Sequence, residues 1–385
     1  MSFFYLLSGF VMTLGYGKRC IDPQQHFDFD YWTFLRNRLA RLFPMYLLTN
    51  LMFLSGYFFF MPNYYTQING GAYVTRDVLT LFGLNMFIYP FAPILTELLG
   101  SDVIMGGEAT MLPTNGVSWT IQTMFIFYLT FPLVLRWIRK NNNRNSRASL
   151  FRGLYFVQLA WFVTALFLVA VPPMSSVGPG WGYWVGRAWP FGRLPVFMMG
   201  CLAAAERLDS DKLTNTVGGT ALTRIQMDFY GCCCCPTAQL EEAKSKEVWR
   251  SRGGWVLGMY FSALIVPIAL VVLFQGAFHI LSFLFRIGFE ASFPLFFVRV
   301  IMSLTYSEKG GTLYGFFTSK IMLAIGEMSF AFYLIHMMVC INLVMVGVRG
   351  FANMLASLVL SAIIGFALTE GFEKPMRNLL KKKRG

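Results

Sequence analysis

Charge is what this sequence has least of. Only 13% of its 385 residues are Asp, Glu, Lys or Arg, about half of what a soluble domain carries. With 56% hydrophobic residues and a mean hydropathy of +0.54, that scarcity excludes a water-soluble globule. Histidine is scarcer still, so chemistry that needs an imidazole has only His26, His279 and His336 to draw on. The seven cysteines show neither the paired spacing of a disulfide framework nor a CxxC metal pattern. The start has no charged leader region and no small-residue cleavage site, which excludes a secretory signal peptide. No stretch is polar and long enough to form a separate soluble domain.

What the chain does have is long apolar runs separated by short basic loops. A bilayer core of about 30 Å needs roughly 20 apolar residues to cross it as a helix. Nine spans are expected, at residues 2–16, 44–61, 117–138, 153–173, 190–206, 254–274, 279–304, 320–346 and 351–370. The tenth apolar stretch, 76–98, carries Pro90 and Pro93, which disfavour a continuous helix. The basic clusters around Arg36–Arg41 and Arg136–Arg147 both belong on the cytoplasmic face, so an even number of crossings separates them. That makes 76–98 a re-entrant or interfacial segment on the far side. The loops 17–43, 136–152, 207–253, 305–320 and 371–385 then hold 26 of the 32 Lys and Arg residues. This partition explains the net charge of +13 as orientation signals and excludes a nucleic-acid surface. The expected fold class is all-α, a polytopic integral membrane helical bundle. Residues 1–377 form one membrane domain with a partly disordered cytoplasmic loop at 207–253, and 378–385 form a basic tail. Residues 141–146 read as a short solvated linker.

Five short blocks stand out, in order along the chain. The first is Phe3-Phe4-Tyr5-Leu6-Leu7-Ser8-Gly9-Phe10, followed by Arg38-x-x-Arg41 and Pro44-x-Tyr46. The second runs Ser118-Trp119-Thr120-Ile121-Gln122, with Tyr128 and Pro132 beyond. The third is Arg193-Leu194-Pro195-Val196-Phe197-Met198-Met199-Gly200, the fourth Ile325-Gly326-Glu327-Met328-Ser329 to Tyr333-Leu334-Ile335-His336, and the last Glu373-Lys374-Pro375. Each has a plain reading: small residues pack membrane helices, and arginines and aromatics mark the interfaces. Taken together, in this order, the blocks resemble the polytopic acyltransferase 3 family over residues 2–377. The fourth is the most specific single match. Met124 stands where that family usually has an acid.

The resemblance implies transfer of an acyl group, often acetyl, from cytoplasmic acyl-CoA to a hydroxyl or amine of a carbohydrate or lipid acceptor across the membrane. It implies binding roles for Ser8, Arg38, Arg41, Trp119, Tyr128, Arg193 and Tyr333. Arg38 and Arg41 would grip donor phosphates, because guanidinium forks match phosphate oxygens and stay charged. Arg139 reads as an orientation charge. No metal and no nucleic acid are implied. The family's base is a histidine preceded by an arginine, in a helix before the one that opens this chain. An N-terminus left outside would be returned to the cytoplasm by one such upstream span. The chain as given is therefore expected to bind a donor without turning it over. The alternatives are an inactive relative or a small-molecule or lipid transporter, although no inverted repeat is visible.

His336 reads as a hydrogen-bonded packing residue or as the base, since an ionisable group inside a membrane is costly. His26 lies in a polar loop and His279 at an outer boundary. Arg286 and Glu290 are four residues apart and can pair on one helical face. For Cys232–Cys235, palmitoylation is the first reading, inert thiols the second and zinc the last. The protein is placed in a membrane: the endoplasmic reticulum if eukaryotic, otherwise the plasma membrane. The ending Lys382-Lys383-Arg384-Gly385 reads either as a dilysine retrieval signal or as a basic anchor.

Overall fold

The computed structural model describes residues 2–22, 24, 26–60, 77–88, 115–141, 144–170, 188–217, 294, 297–298, 300–302, 304–305 and 312–380. Among these there is helix and turn but no strand. The main helices are α1 (Ser2–Tyr16), α2 (Tyr31–Phe60), α3 (Trp119–Lys140), α4 (Arg144–Ala170), α5 (Pro190–Val217), α6 (Lys320–Met345), α7 (Gly350–Leu368) and α8 (Lys374–Leu380). Among the described residues, three stretches are long and apolar enough to cross a membrane: Gly116–Lys140, Lys320–Met345 and Gly350–Leu380. The protein is a membrane protein, helical throughout its described elements. The expected spans at 254–274 and most of 279–304 lie outside the described residues, as do Cys232–Cys235, His279, Arg286, Glu290 and the final five residues.

Three boundaries differ from the sequence reading. Helix α2 begins thirteen residues before residue 44, because Asp30 caps it: its Oδ1 accepts from the Thr33 amide at 3.0 Å. The arginine run 36–41 is thus helical, and Pro44 sits inside the helix. Residues 144–146 are not linker but the first turn of α4. Asn141 closes α3, its side-chain amide donating to the Trp137 carbonyl at 2.9 Å. In the stretch 77–88 the helix breaks at Gly83, whose φ of +70 is open mainly to glycine. The prolines that predicted a break, Pro90 and Pro93, lie outside the described residues.

The chain falls into two compact units. The first comprises Met1–Phe29, Thr130–Phe167 and Phe191–Gly315, and the second Asp30–Leu129, Leu168–Pro190 and Phe316–Gly385. In the first unit α1 crosses α5 at two glycines. A Cβ on Gly9 would run into the Phe197 carbonyl and lie 3.2 Å from the Cys201 amide, and one on Gly200 would meet the Leu6 carbonyl. Small residues let the two backbones touch, the usual way apolar helices associate in lipid. Phe131 packs edge-on against Phe197 beside this crossing. Arg147, fully buried, pairs with Asp209, so one arginine counted as an orientation charge is a structural partner instead.

In the second unit α6 and α7 pack lengthwise along a small-residue stripe. Asn353, Ser357, Ser361 and Gly365 are the buried positions of α7, and Gly365 faces the Phe332 backbone. Beyond Leu368 the chain makes one π turn, Thr369–Glu373, before α8. Its signature is the Lys374 amide bonding to the Thr369 carbonyl five residues back. Pro375 supplies the reason. It has no N–H to give, and its ring would clash with the carbonyl four residues earlier in a regular helix. The wider turn relieves that clash.

Candidate functional site

The second unit assembles six of the eight nominated side chains, in two clusters. The first is charged. It brings the arginine run of α2 against the π turn and α8. Arg36 Nε donates to the Leu380 carbonyl at 2.9 Å. Arg38 lies over the Phe34 ring, 5.8 Å from its centroid, and Phe34 meets the buried Tyr128 edge-on at 6.0 Å. Lys374 bridges to Glu327 of α6 at 2.8 Å and to Glu370. Glu373 is 4% exposed, with Arg377 Nη1 3.9 Å from its Oε1. Arg41, Arg377 and Lys374 are the cations whose charge acts on it.

The second cluster is neutral and lies further along the same helices. Asn50, nine residues beyond Arg41 and so about 13 Å along α2, accepts from the Asn115 amide at 2.9 Å. Asn115 Nδ2 donates to the Leu334 carbonyl at 2.8 Å, which ties this network to α6. Gln122 Nε2 donates to Tyr46 Oη at 2.9 Å and to Asn85 Oδ1 at 3.0 Å, while its Oε1 accepts from the Met86 amide at 3.0 Å. Tyr46 in turn donates to the Thr80 carbonyl. Tyr333 Oη donates to the Val117 carbonyl at 3.1 Å and accepts from Thr120 Oγ1 at 3.3 Å. Trp119 is buried at the start of α3, its carbonyl taken by Thr123 Oγ1. One turn beyond Tyr333, His336 places Nδ1 2.6 Å from the Tyr333 carbonyl, with its ring stacked on Phe332. A carbonyl only accepts, so Nδ1 carries the proton and Nε2 is the basic nitrogen. No described residue hydrogen-bonds Nε2.

The other two nominees, Ser8 and Arg193, lie in the first unit. Ser8 is half-buried beside the Gly9 crossing. Arg193 is fully buried on the Phe162 ring, 5.0 Å from its centroid, and its Nη1 donates to Ser2 Oγ at 3.3 Å. Here packing accounts for the motif glycines and for the position of the arginine. Arg139, taken as an orientation charge, flanks the Phe27 ring together with Arg136, at 5.9 and 5.1 Å. Nearby, the Cys20 thiol donates to the Asp28 carbonyl. Burial first, and the Asp28 charge second, push that thiol above its ordinary range, against a smaller pull from Arg139.

Sequence reasoning did not single out Asn50, Asn85, Asn115 or Arg377. The signal for the first two was present: an amide in an apolar run requires a buried partner. Gln122, the last residue quoted in the run that opens the second block, serves in the structure as a connector.

A helical membrane protein with a cationic cluster and a neutral polar centre in one unit is the class these features define. The chain belongs to the acyltransferase 3 family, described as an acyltransferase domain, which matches residues 1–370. It is an acyltransferase of the kind that transfers groups other than aminoacyl groups. It is similar to Acyltransferase MdmB of Streptomyces mycarofaciens, 26% identical over 408 residues, a match spanning all of this chain and 82% of the relative. No solved structure matches it significantly.

Proposed function

We propose that this protein takes an acyl group, acetyl in the first instance, from acyl-CoA on the cytoplasmic face and delivers it to a carbohydrate or lipid acceptor across the membrane. The observation that carries the reading is the division of labour along α2 and α6. Arginines 36, 38 and 41 stand at one end of the second unit. Uncharged hydrogen-bonding side chains stand about one and a half to two and a half turns further in, with the His336 imidazole held in the tautomer a base needs. Guanidinium groups suit the donor's phosphates. A neutral polar centre suits hydroxyl-bearing acceptors, which bind through hydrogen bonds and not charge. His336 Nε2, in place of the upstream histidine whose lack led the sequence to predict donor binding without turnover, would take the acceptor proton as the oxygen or nitrogen attacks the thioester carbonyl, and would return it to the departing coenzyme thiolate. General-base help of this kind is worth roughly 10²–10⁴-fold in rate. Membrane lipids form the surroundings, and no metal enters the scheme.

The donor half is testable by binding. Arg38→Ala and Arg41→Ala should weaken acetyl-CoA binding to the purified protein, while Arg139→Ala should not. Losing one charge-assisted hydrogen bond costs about 1.5–3 kcal/mol. Equal affinities for the three variants sink the donor assignment.

A further inference from the structure

The cationic cluster contains one residue whose energetics stand apart from the others. Glu327, Lys374 and Glu370 form ion pairs whose acids are 57% and 46% exposed, and water screens such exposed pairs so that they hold little together. Glu373 is different. It is buried, its Oε2 has no hydrogen-bond partner, and its closest cation, Arg377, stands 3.9 Å away, beyond hydrogen-bond reach. An uncompensated buried carboxylate is costly, so the fold must hold cations beside it. Those cations come from two distant parts of the chain: Arg377 from α8, and Arg41 from α2, whose neighbour Arg36 is tied to the last carbonyl of α8. Arg41 is exposed and makes no hydrogen bond or ion pair to the described residues. Among the described residues Arg377 makes only the loose contact to Glu373, and it keeps about a quarter of its side chain open. Helix α2 packs against the π turn and α8, so the Arg41 guanidinium lies within electrostatic range of the same buried acid that Arg377 faces, and among the described residues the N–H groups of both are uncommitted to a close hydrogen bond.

We infer that Arg41 and Arg377, held together by the buried Glu373, form a single two-arginine site for the phosphates of the acyl donor. This rests on the donor reading above and extends it to a residue that sequence placed among the orientation charges. Glu373 is a positioning residue: it does not touch the phosphates, which it would repel, but keeps the two forks from separating. The π turn is what aims it there. Pro375 forces the wider turn, and Glu373 ends that turn on its buried side.

The test is acetyl-CoA binding to the full chain in lipid nanodiscs, with thermal midpoints recorded for every variant. Arg377→Gln should weaken binding roughly 10- to 100-fold, as Arg41→Ala does. Arg377→Lys should recover only part of this, because a point charge replaces a fork. Glu373→Gln, which keeps the volume, should weaken binding in the wild-type background and have little further effect in Arg41→Ala. Lys320→Ala, a cation on α6 outside the cluster, should bind as wild type. Acetyl-CoA should also protect Arg377→Cys from maleimide, a readout that needs no turnover. Wild-type affinity for Arg377→Gln or Glu373→Gln, with Arg41→Ala still impaired, overturns the two-arginine site and leaves the donor reading standing. Unimpaired binding by both Arg38→Ala and Arg41→Ala overturns the donor reading itself.

Discussion

Gln122 shows how much one buried amide can decide. Its two ends satisfy a phenol, an asparagine and a backbone amide at once, and it is 1% exposed. In the sequence it is a polar residue two positions before Met124, where the family usually has an acid. An amide offers both donors and an acceptor, whereas a carboxylate offers only acceptors. Here Tyr46 Oη and Asn85 Oδ1 need donors. Gln122→Glu should therefore destabilise the protein, although it restores an acid close to the position where the family carries one. Gln122→Leu should also be destabilising, by roughly 1–3 kcal/mol for each buried group left unpaired. Thermal unfolding in detergent or nanodiscs reads both. A Gln122→Glu variant as stable as the wild type would show that the network tolerates a carboxylate, and would reopen the site as an acid–base centre.

The helices themselves were legible where hydropathy alone sets them. Helix α1, the stretch 116–140 and helix α6 fall within a few residues of the expected spans. Boundaries moved wherever polar residues extend a helix into water. The Asp30 cap carries α2 back across the arginine run, and α5 continues to Val217, well into the loop read as starting at 207. Apolar length marks the buried stretch of a helix, and capping marks its ends. The glycine crossing of α1 and α5 was also half visible, since Ser8-Gly9-Phe10 had packing as its plain reading. What periodicity does not reveal is the partner, because Gly9 and Gly200 are 191 positions apart. Gly9→Ala and Gly200→Ala each place a methyl group into a backbone carbonyl. Overpacking of this kind costs about 1–3 kcal/mol, and more when backbone must move. Gly15→Ala, with open space at its Cβ, is the matched control in the same helix. A lowered thermal midpoint for the first two and not the third is the expected result. Equal midpoints for all three would mean that the crossing is looser than its geometry.

For the whole molecule the open question is orientation, and it rests on a count. Assigning 26 of 32 basic residues to one side is a large bias, but not every charge in it serves orientation. Arg147 is consumed by Asp209, and Arg136 and Arg139 flank Phe27. Removing these three still leaves the excess on the same side, so the topology does not hang on them. It does depend on 76–98 failing to cross. The break at Gly83 is consistent with a segment that enters and returns, since a continuous helix would have to close it against a positive φ. The expected arrangement puts 207–253 and the C-terminus in the cytoplasm and 62–116 on the opposite face. Arg41, Glu373 and Arg377 then face the compartment that holds acyl-CoA, and His336, about 24 Å along α6 from Lys320, lies toward the acceptor. A single cysteine introduced at Thr114 in a cysteine-depleted chain tests this in sealed vesicles. An impermeant maleimide should label it only from the extracytoplasmic side, while one introduced at Ser210 should label only from the cytoplasm. Labelling of Thr114→Cys from the cytoplasm would make 76–98 a true crossing. Everything beyond that crossing, Glu373 and Arg377 included, would then lie on the face opposite Arg41, and the two-arginine donor site would fail with it.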